Sequence, residues 1–465
     1  MKKINYLLIV LILSIFSSKA EVIDSAYVYN HYSAVADKII AKVMSDSSAW
    51  DRMAYMCDMF GTRFSGSESL NHSLQWSYNE MKKDGLANPT LEEVMVPNWK
   101  RGKEECELLF PKSKNIKISA LGRSVATPEN GIDAEVLVVK DFDDLDKNAI
   151  FAKGKIVVYN VKFLNYGQAV QYRFRGAIAA AKYGAVASLV RSVSPVSFDK
   201  LHTGVMGYDD TIPKIPHAAI THEDAMLMQR LQDRGVIPKL HLHLTCQTLE
   251  DTLSYNVYSE LTGTAIPNEI LALGGHSDSW DLSSGAHDDA SGCIAGWQVL
   301  KVLKEMGIAP RRTLRSVFWV NEENGTRGGE KYAELHKNEP HVAVLEFDSG
   351  VFTPSAIGFN GDSTYFEILK GIEPLLKRID KDMILRKGGG GVDIGPMMRL
   401  GITGMSLSTN DFADEYFWYH HGPADTPEKV DPMTFNKCIA AIAVATYIYA
   451  DLPINVIEHE QIETK

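Results

Sequence analysis

A chain of 465 residues is longer than one compact core of ordinary size accommodates, so two or three folding units are expected. Its 45% hydrophobic and 23% charged residues, without low-complexity bias, are those of a globular protein. A net charge of −11 argues against a nucleic-acid partner.

The first twenty residues, MKKINYLLIVLILSIFSSKA, join Lys2 and Lys3 to an apolar run at 6–15 and small residues at 18 and 20, the pattern of a cleaved signal peptide. That run is shorter than the roughly 20 residues that cross a bilayer, and no later stretch reads as such a run. The expectation is a secreted or exported protein, extracellular, periplasmic or lysosomal according to host, with no membrane span in its mature chain. Losing Lys2, Lys3 and Lys19 takes the net charge from −11 to −14.

From residue 25 to about 110 the apolar spacing predicts helices, notably 48–61 and 70–85, and residues 21–111 form the first part of a main domain. Between 112 and 250 short β-rich runs such as AEVLVV and KIVVYNV flank the helix AVQYRFRGAIAAAKYG, which predicts an inserted α/β module. From 251 to 465 strands alternate with amphipathic helices, predicting a mostly parallel mixed sheet covered by helices on both faces, an α/β fold. Its strands are expected at 269–275, 313–320, 342–347 and 401–407. In the helix that follows residue 290, Ile294, Trp297, Leu300 and Leu303 form one stripe, Asp289 or Ser291 caps the start, and Gly307 ends it. RKGGGG at 386–391 lacks the phosphate-loop pattern and reads as a flexible loop. Five scattered cysteines allow one or two disulfides and leave at least one thiol. Asn71 and Asn324 stand in glycosylation sequons.

Acidic and histidine residues stand just beyond each predicted strand: His276 and Asp278, then Asp288 and Asp289, Glu322 and Glu323, and Asp348. YHHGPADT at 419–426 adds two more histidines. Carboxyl ends of strands are where functional groups collect in open α/β sheets. Several buried carboxylates cost several kcal/mol each without a counter-charge, so a divalent metal is implied. Nitrogen and carboxylate donors without thiolate suit catalytic Zn²⁺. Two Zn²⁺ per chain balance three ligand carboxylates and a hydroxide, and one carboxylate can bridge them.

The runs GGHSDSWDLSSGAHDDASG, FWVNEENG, LEFDSG and YFWYHHGPADT resemble the M28 family of zinc peptidases, and the likeness extends over nearly the whole mature chain. The resemblance implies that His276 and Asp348 hold one zinc, Glu323 and His421 the other, and Asp288 bridges them. Glu322 becomes the general base. Asp278 accepts a hydrogen bond from the far ring nitrogen of His276. His420 is left as a substrate contact, His287 as a loop residue, and the Asp288–Asp289 peptide as cis. Also implied are an exopeptidase acting on small peptides, chiefly dipeptides with free termini, a protease-associated-like middle module, and a homodimer in which that module helps wall off the site. Arg327 is a candidate for the substrate carboxylate, weighed against a surface charge. Three other readings are a non-catalytic binding protein on this fold, a single-zinc glutaminyl cyclase, and an aminopeptidase with different terminus recognition.

Overall fold

In the computed structural model, which describes residues 22–454, two eight-stranded sheets carry the chain. The first runs Ala87–Lys100, Gln247–Leu261, Arg312–Trp319, Ile266–His276, His341–Glu346, Gly404–Asn410, Thr353–Asn360, Ile384–Lys387. Its four central strands are parallel, and the strands Ala87–Lys100 and Gln247–Leu261 pair antiparallel at one edge. The pleat divides the central residues between two cores. Leu271, Leu273, Leu314, Phe318, Ala343 and Leu345 face the helices Ser291–Glu305 and Pro432–Asp451, whereas Ala272, Val317, Trp319 and Val344 pack on Tyr332, Ile394 and Met397. Burial on both faces explains why these strands read as continuous apolar runs.

The chain leaves this sheet at Lys100 and rejoins it at Gln247, and those two residues are paired. Everything between builds the second sheet, ordered Lys114–Asn115, Glu104–Phe110, Lys239–Leu244, Ile132–Val139, Ile156–Tyr159, Ala187–Arg191, His217–Ile220, Ile118–Ala120. Ile132–Val139 through His217–Ile220 are mutually parallel, with Tyr166–Lys182 and His222–Asp233 as covering helices.

Several expectations are corrected. Helix was expected as far as about 110, but Ala87–Lys100 and Glu104–Phe110 are strands; Val94 and Val96 alternate inward with exposed Met95, and Cys106 and Leu108 belong to the second core. The second sheet therefore begins and ends a few residues before the expected limits of 112 and 250. The helix Pro432–Asp451 is long and apolar enough to cross a membrane, contrary to the reading of the later chain, yet 83% of its apolar window is buried within the protein. All five cysteines are free and buried, so neither of the bridges that their number allowed is formed. Asn324 is buried, which removes its sequon from reach, and the Asn71 amide donates to Leu253 O at 3.1 Å. The N-terminal run at 6–15 lies outside the described residues.

Candidate active site

The site grows from strand ends that the parallel register brings level. His276 lies opposite Trp319, and Gly274 opposite Glu346. The residues that follow, Glu322, Glu323 and Asp348, therefore meet His276 at one edge of the sheet. Asp288 arrives from the segment before the helix Ser291–Glu305, and His420 and His421 from the turn after Tyr416–Tyr419.

Asp288 is central. Its Oδ1 lies 3.2 Å from His276 Nε2, and its Oδ2 lies 3.4 Å from Nε2 of both His420 and His421. Asp348 Oδ1 is 3.7 Å from His276 Nε2, and Glu323 Oε2 is 2.9 Å from His421 Nε2. Asp288 Oδ2 and Asp348 Oδ1 are buried without any hydrogen bond. Ligand atoms of His276, Asp288 and Glu323 all fall within 4.8 Å of one another, as do those of His276, Asp289 and Asp348. Nitrogen and carboxylate donors with orphaned oxygens suit Zn²⁺, so the residues fit the metal that the family resemblance implies.

Asp289 is differently engaged. Its Oδ2 accepts from His276 N–H at 3.1 Å and its Oδ1 from Gly292 N–H at 2.9 Å, which settles it, rather than Ser291, as the helix-start acceptor. Gly275 permits that approach, because a Cβ there would stand 1.9 Å from Asp289 Oδ2. The Asp288–Asp289 peptide is cis. Asp425 accepts from the N–H groups of His287 at 2.8 Å and Asp288 at 3.2 Å and so fixes the segment from the other side.

Asp278 meets His276 through its backbone rather than through the carboxylate that the resemblance implied. His276 Nδ1 is 2.9 Å from the Asp278 carbonyl oxygen and 3.9 Å from its carboxylate. The carboxylate instead accepts from Glu322 N–H at 3.1 Å, Glu323 N–H at 3.3 Å and Ser65 O–H at 3.0 Å, which orients the glutamate pair. His287 is a buried structural residue: Nδ1 accepts from Val351 N–H at 3.0 Å, and its ring lies between Phe352 and Tyr419. Arg327 bonds Met95 O at 3.0 Å and pairs with Asp251, in a separate surface groove.

The electrostatics state the same need for positive charge. Burial, with Asp348 nearby, pushes the Asp288 carboxyl up to about 6. Burial and the surrounding carboxylates raise Glu322 to about 8 and Glu323 well above its ordinary range. For His276 burial opposes a proton, but Asp288 and Asp348 outweigh it and hold the imidazole well above its usual value. At neutral pH Glu322 and Glu323 so placed are fully ionised only beside a cation, and a cation would favour the ionised form of Asp288 as well.

Asp288, Glu322, Glu323, Asp348, His420 and His421 line one cavity of about 390 Å³. The second sheet's module supplies part of its wall, and these residues escaped sequence reasoning. Tyr166, Arg173 and Val205 reach the cavity. His202 Nε2 lies 3.0 Å from His420 Nδ1, and Thr203 O lies 3.2 Å from His421 Nδ1, leaving His421 Nε2 toward Glu323. Arg63, fully buried, donates to the carbonyls of Ser277, Ser284 and Gly285 and clamps the loop that leads to Asp288. Nothing in their local spacing marks these residues, because their partners lie tens to hundreds of positions away.

The profile of peptidase family M28 matches residues 256–446. Carboxypeptidase Q of Mus musculus is 40% identical over 427 residues, 91% of this chain and 90% of that protein. Carboxypeptidase Q of Homo sapiens is 40% identical over 410 residues, 88% and 86% of the two chains. A peptidase M28 precursor from Shewanella amazonensis superposes with a TM-score of 0.87 at 30% identity, covering 92% of this chain and 98% of that one. A zinc aminopeptidase from Bacillus subtilis has the same fold, with a TM-score of 0.66 at 20% identity over 88% and 96% of the chains.

Proposed function

This chain belongs to peptidase family M28 and is a zinc metallopeptidase, and from that premise we propose that it is a di-zinc exopeptidase cleaving short peptides, chiefly dipeptides with free termini. The observation that carries the two-metal reading is Asp288, which turns one oxygen toward His276 and the other toward His421. His276 and Asp348 would hold one ion, Glu323 and His421 the second, with Asp288 shared.

When bound, zinc supplies Lewis acidity that polarises the scissile carbonyl and lowers the pKa of the attacking water. Glu322, aimed into the cavity by the Asp278 carboxylate on its own N–H, takes the water proton and delivers it to the leaving amine. His420 faces the same cavity as a substrate contact, held by His202 at its Nδ1. Arg173 offers a buried guanidinium for a free substrate carboxylate, a role that the surface-paired Arg327 does not support. That feature favours carboxypeptidase or dipeptidase action over an aminopeptidase that reads only the amino group. Export guided by the N-terminal run and assembly as a homodimer complete the proposal.

Zinc content and dipeptide hydrolysis, measured on the parent and on Glu322→Gln, test the reading. Two zinc per chain in both proteins are expected, with kcat lowered about 10²- to 10⁴-fold in the variant. One zinc or none in a folded parent that cleaves no dipeptide overturns it and brings the cyclase or binding-protein reading forward.

A further inference from the structure

The catalytic cavity lies at the carboxyl edge of the first sheet's parallel strands, and the second sheet has an equivalent edge. Its four parallel strands open there onto a cavity of about 800 Å³, about twice the catalytic one. Each strand contributes a residue from its own end: Lys140 follows Ile132–Val139, Asn160 and Lys162 follow Ile156–Tyr159, Arg191 closes Ala187–Arg191, and His222 and Glu223 follow His217–Ile220. This edge is where open α/β sheets gather ligands, and the volume is that of a small-molecule site.

The charges are unbalanced. Lys140, Lys162, Arg191 and Arg230 face Glu223 and Asp233, a positive excess in a chain of net charge −11. None of the four cations forms an ion pair among the described residues, although Lys114 and Lys155 on the same module pair with Asp224 and Glu135. Arg191 is the most constrained. Its Nη1 donates to Asn160 Oδ1 at 3.3 Å and its Nη2 to His222 Nδ1 at 3.2 Å, both neutral acceptors, while its Nε is buried without a partner. His222 accepts because burial holds its imidazole neutral, with a pKa lowered to about 4. A partly desolvated guanidinium whose hydrogen-bond partners are all neutral, with Glu223 near but not paired, is stabilised by an anion, and its planar fork matches an oxyanion.

We propose that this crevice binds a small organic anion carrying two or more phosphate or carboxylate groups, one seated on Arg191 and the other met by Lys140, Lys162 and Arg230. Such a site is separate from the peptidase chemistry and does not depend on the reading of the catalytic cavity.

Calorimetric titration of the zinc-loaded protein with fructose 1,6-bisphosphate at low salt tests it, with tricarballylate as the carboxylate probe. Saturable binding is expected, with Kd of about 1 mM or tighter. Arg191→Met, and separately Lys162→Met at an exposed position, should weaken it, the former about tenfold. Added salt should weaken it further. Dipeptide hydrolysis should be unchanged at saturation, which distinguishes the crevice from the metal site. Binding by either probe on these terms supports an oxyanion site and says which group it prefers. No saturation by about 10 mM of either probe, equal affinity in parent and both variants, or inhibition of hydrolysis in step with binding overturns the proposal.

Discussion

Arg173 is 5% exposed, its Nε meets no partner, and no carboxylate pairs with it among the described residues. A buried cation left so costs several kcal/mol, which a bound anion offsets. The α-carboxylate of a dipeptide is such an anion. Arg173→Met should therefore raise KM for a dipeptide about tenfold or more while leaving hydrolysis of the corresponding dipeptide amide unchanged. Equal losses on both substrates, or a fall in zinc content, would mean that Arg173 only props His421, whose Nδ1 lies 3.3 Å from its Nη1. Of the proposed ligands, His276, Glu323 and Asp348 were legible in the sequence because each stands at or just beyond the end of an apolar strand, whereas Asp288 and His421 come from a helix start and a turn and were marked only by the motifs they stand in. Arg173 and His202 were not, because they sit in a helix and a loop of the other module and acquire meaning only when the two sheets meet.

Two helix-start aspartates separate what an element needs for stability from what the site needs. Asp431 Oδ2 accepts from Thr434 N–H at 2.7 Å at the start of Pro432–Asp451, an ordinary cap. Asp431→Ala should cost about 1 kcal/mol in urea unfolding and leave hydrolysis intact. Asp289 accepts from Gly292 N–H in the helix and also from His276 N–H, so it ties a helix start to a strand end. Asp289→Ala should cost about 2 to 3 kcal/mol, since two buried amides lose their acceptor, and should lower kcat as His276 loses its anchor. Full activity in Asp289→Ala would refute that coupling. The helices at 48–61 and 70–85 and the four central strands were readable from periodicity to within a few residues. Ala87–Lys100 was not, because its pairing partner, Gln247–Leu261, lies about 150 residues away and local helical spacing concealed its alternation.

Across the whole molecule, three buried histidines away from the metal cluster contribute to the response to acid. His217 in the second sheet, His222 at its edge and His341 in the first are each held down to about 4 by burial. His217 Nδ1 meets the hydroxyl of Ser188 at 2.8 Å, and its ring sits where a Cβ at Gly176 would stand 3.1 Å away, so there is no room for water to solvate an imidazolium. Because the folded pKa is depressed, the unfolded chain binds protons that the folded one refuses. The stabilisation is fully present above pH 6.5 and drains away as pH falls toward 4. A shift of this size is worth on the order of 3 kcal/mol for His217. His336, raised by Glu92 and Glu339 against the effect of burial, acts in the opposite direction and offsets part of this. Urea midpoints measured between pH 7.5 and 4.5 should therefore fall steeply with acid, and His217→Gln should start lower at pH 7.5 but lose less on acidification. If parent and variant fall in parallel, the acid response arises elsewhere, first from release of the metal as its carboxylate and histidine ligands protonate. Running both proteins after chelation separates these sources, since the metal-dependent part of the fall then disappears while the histidine part persists.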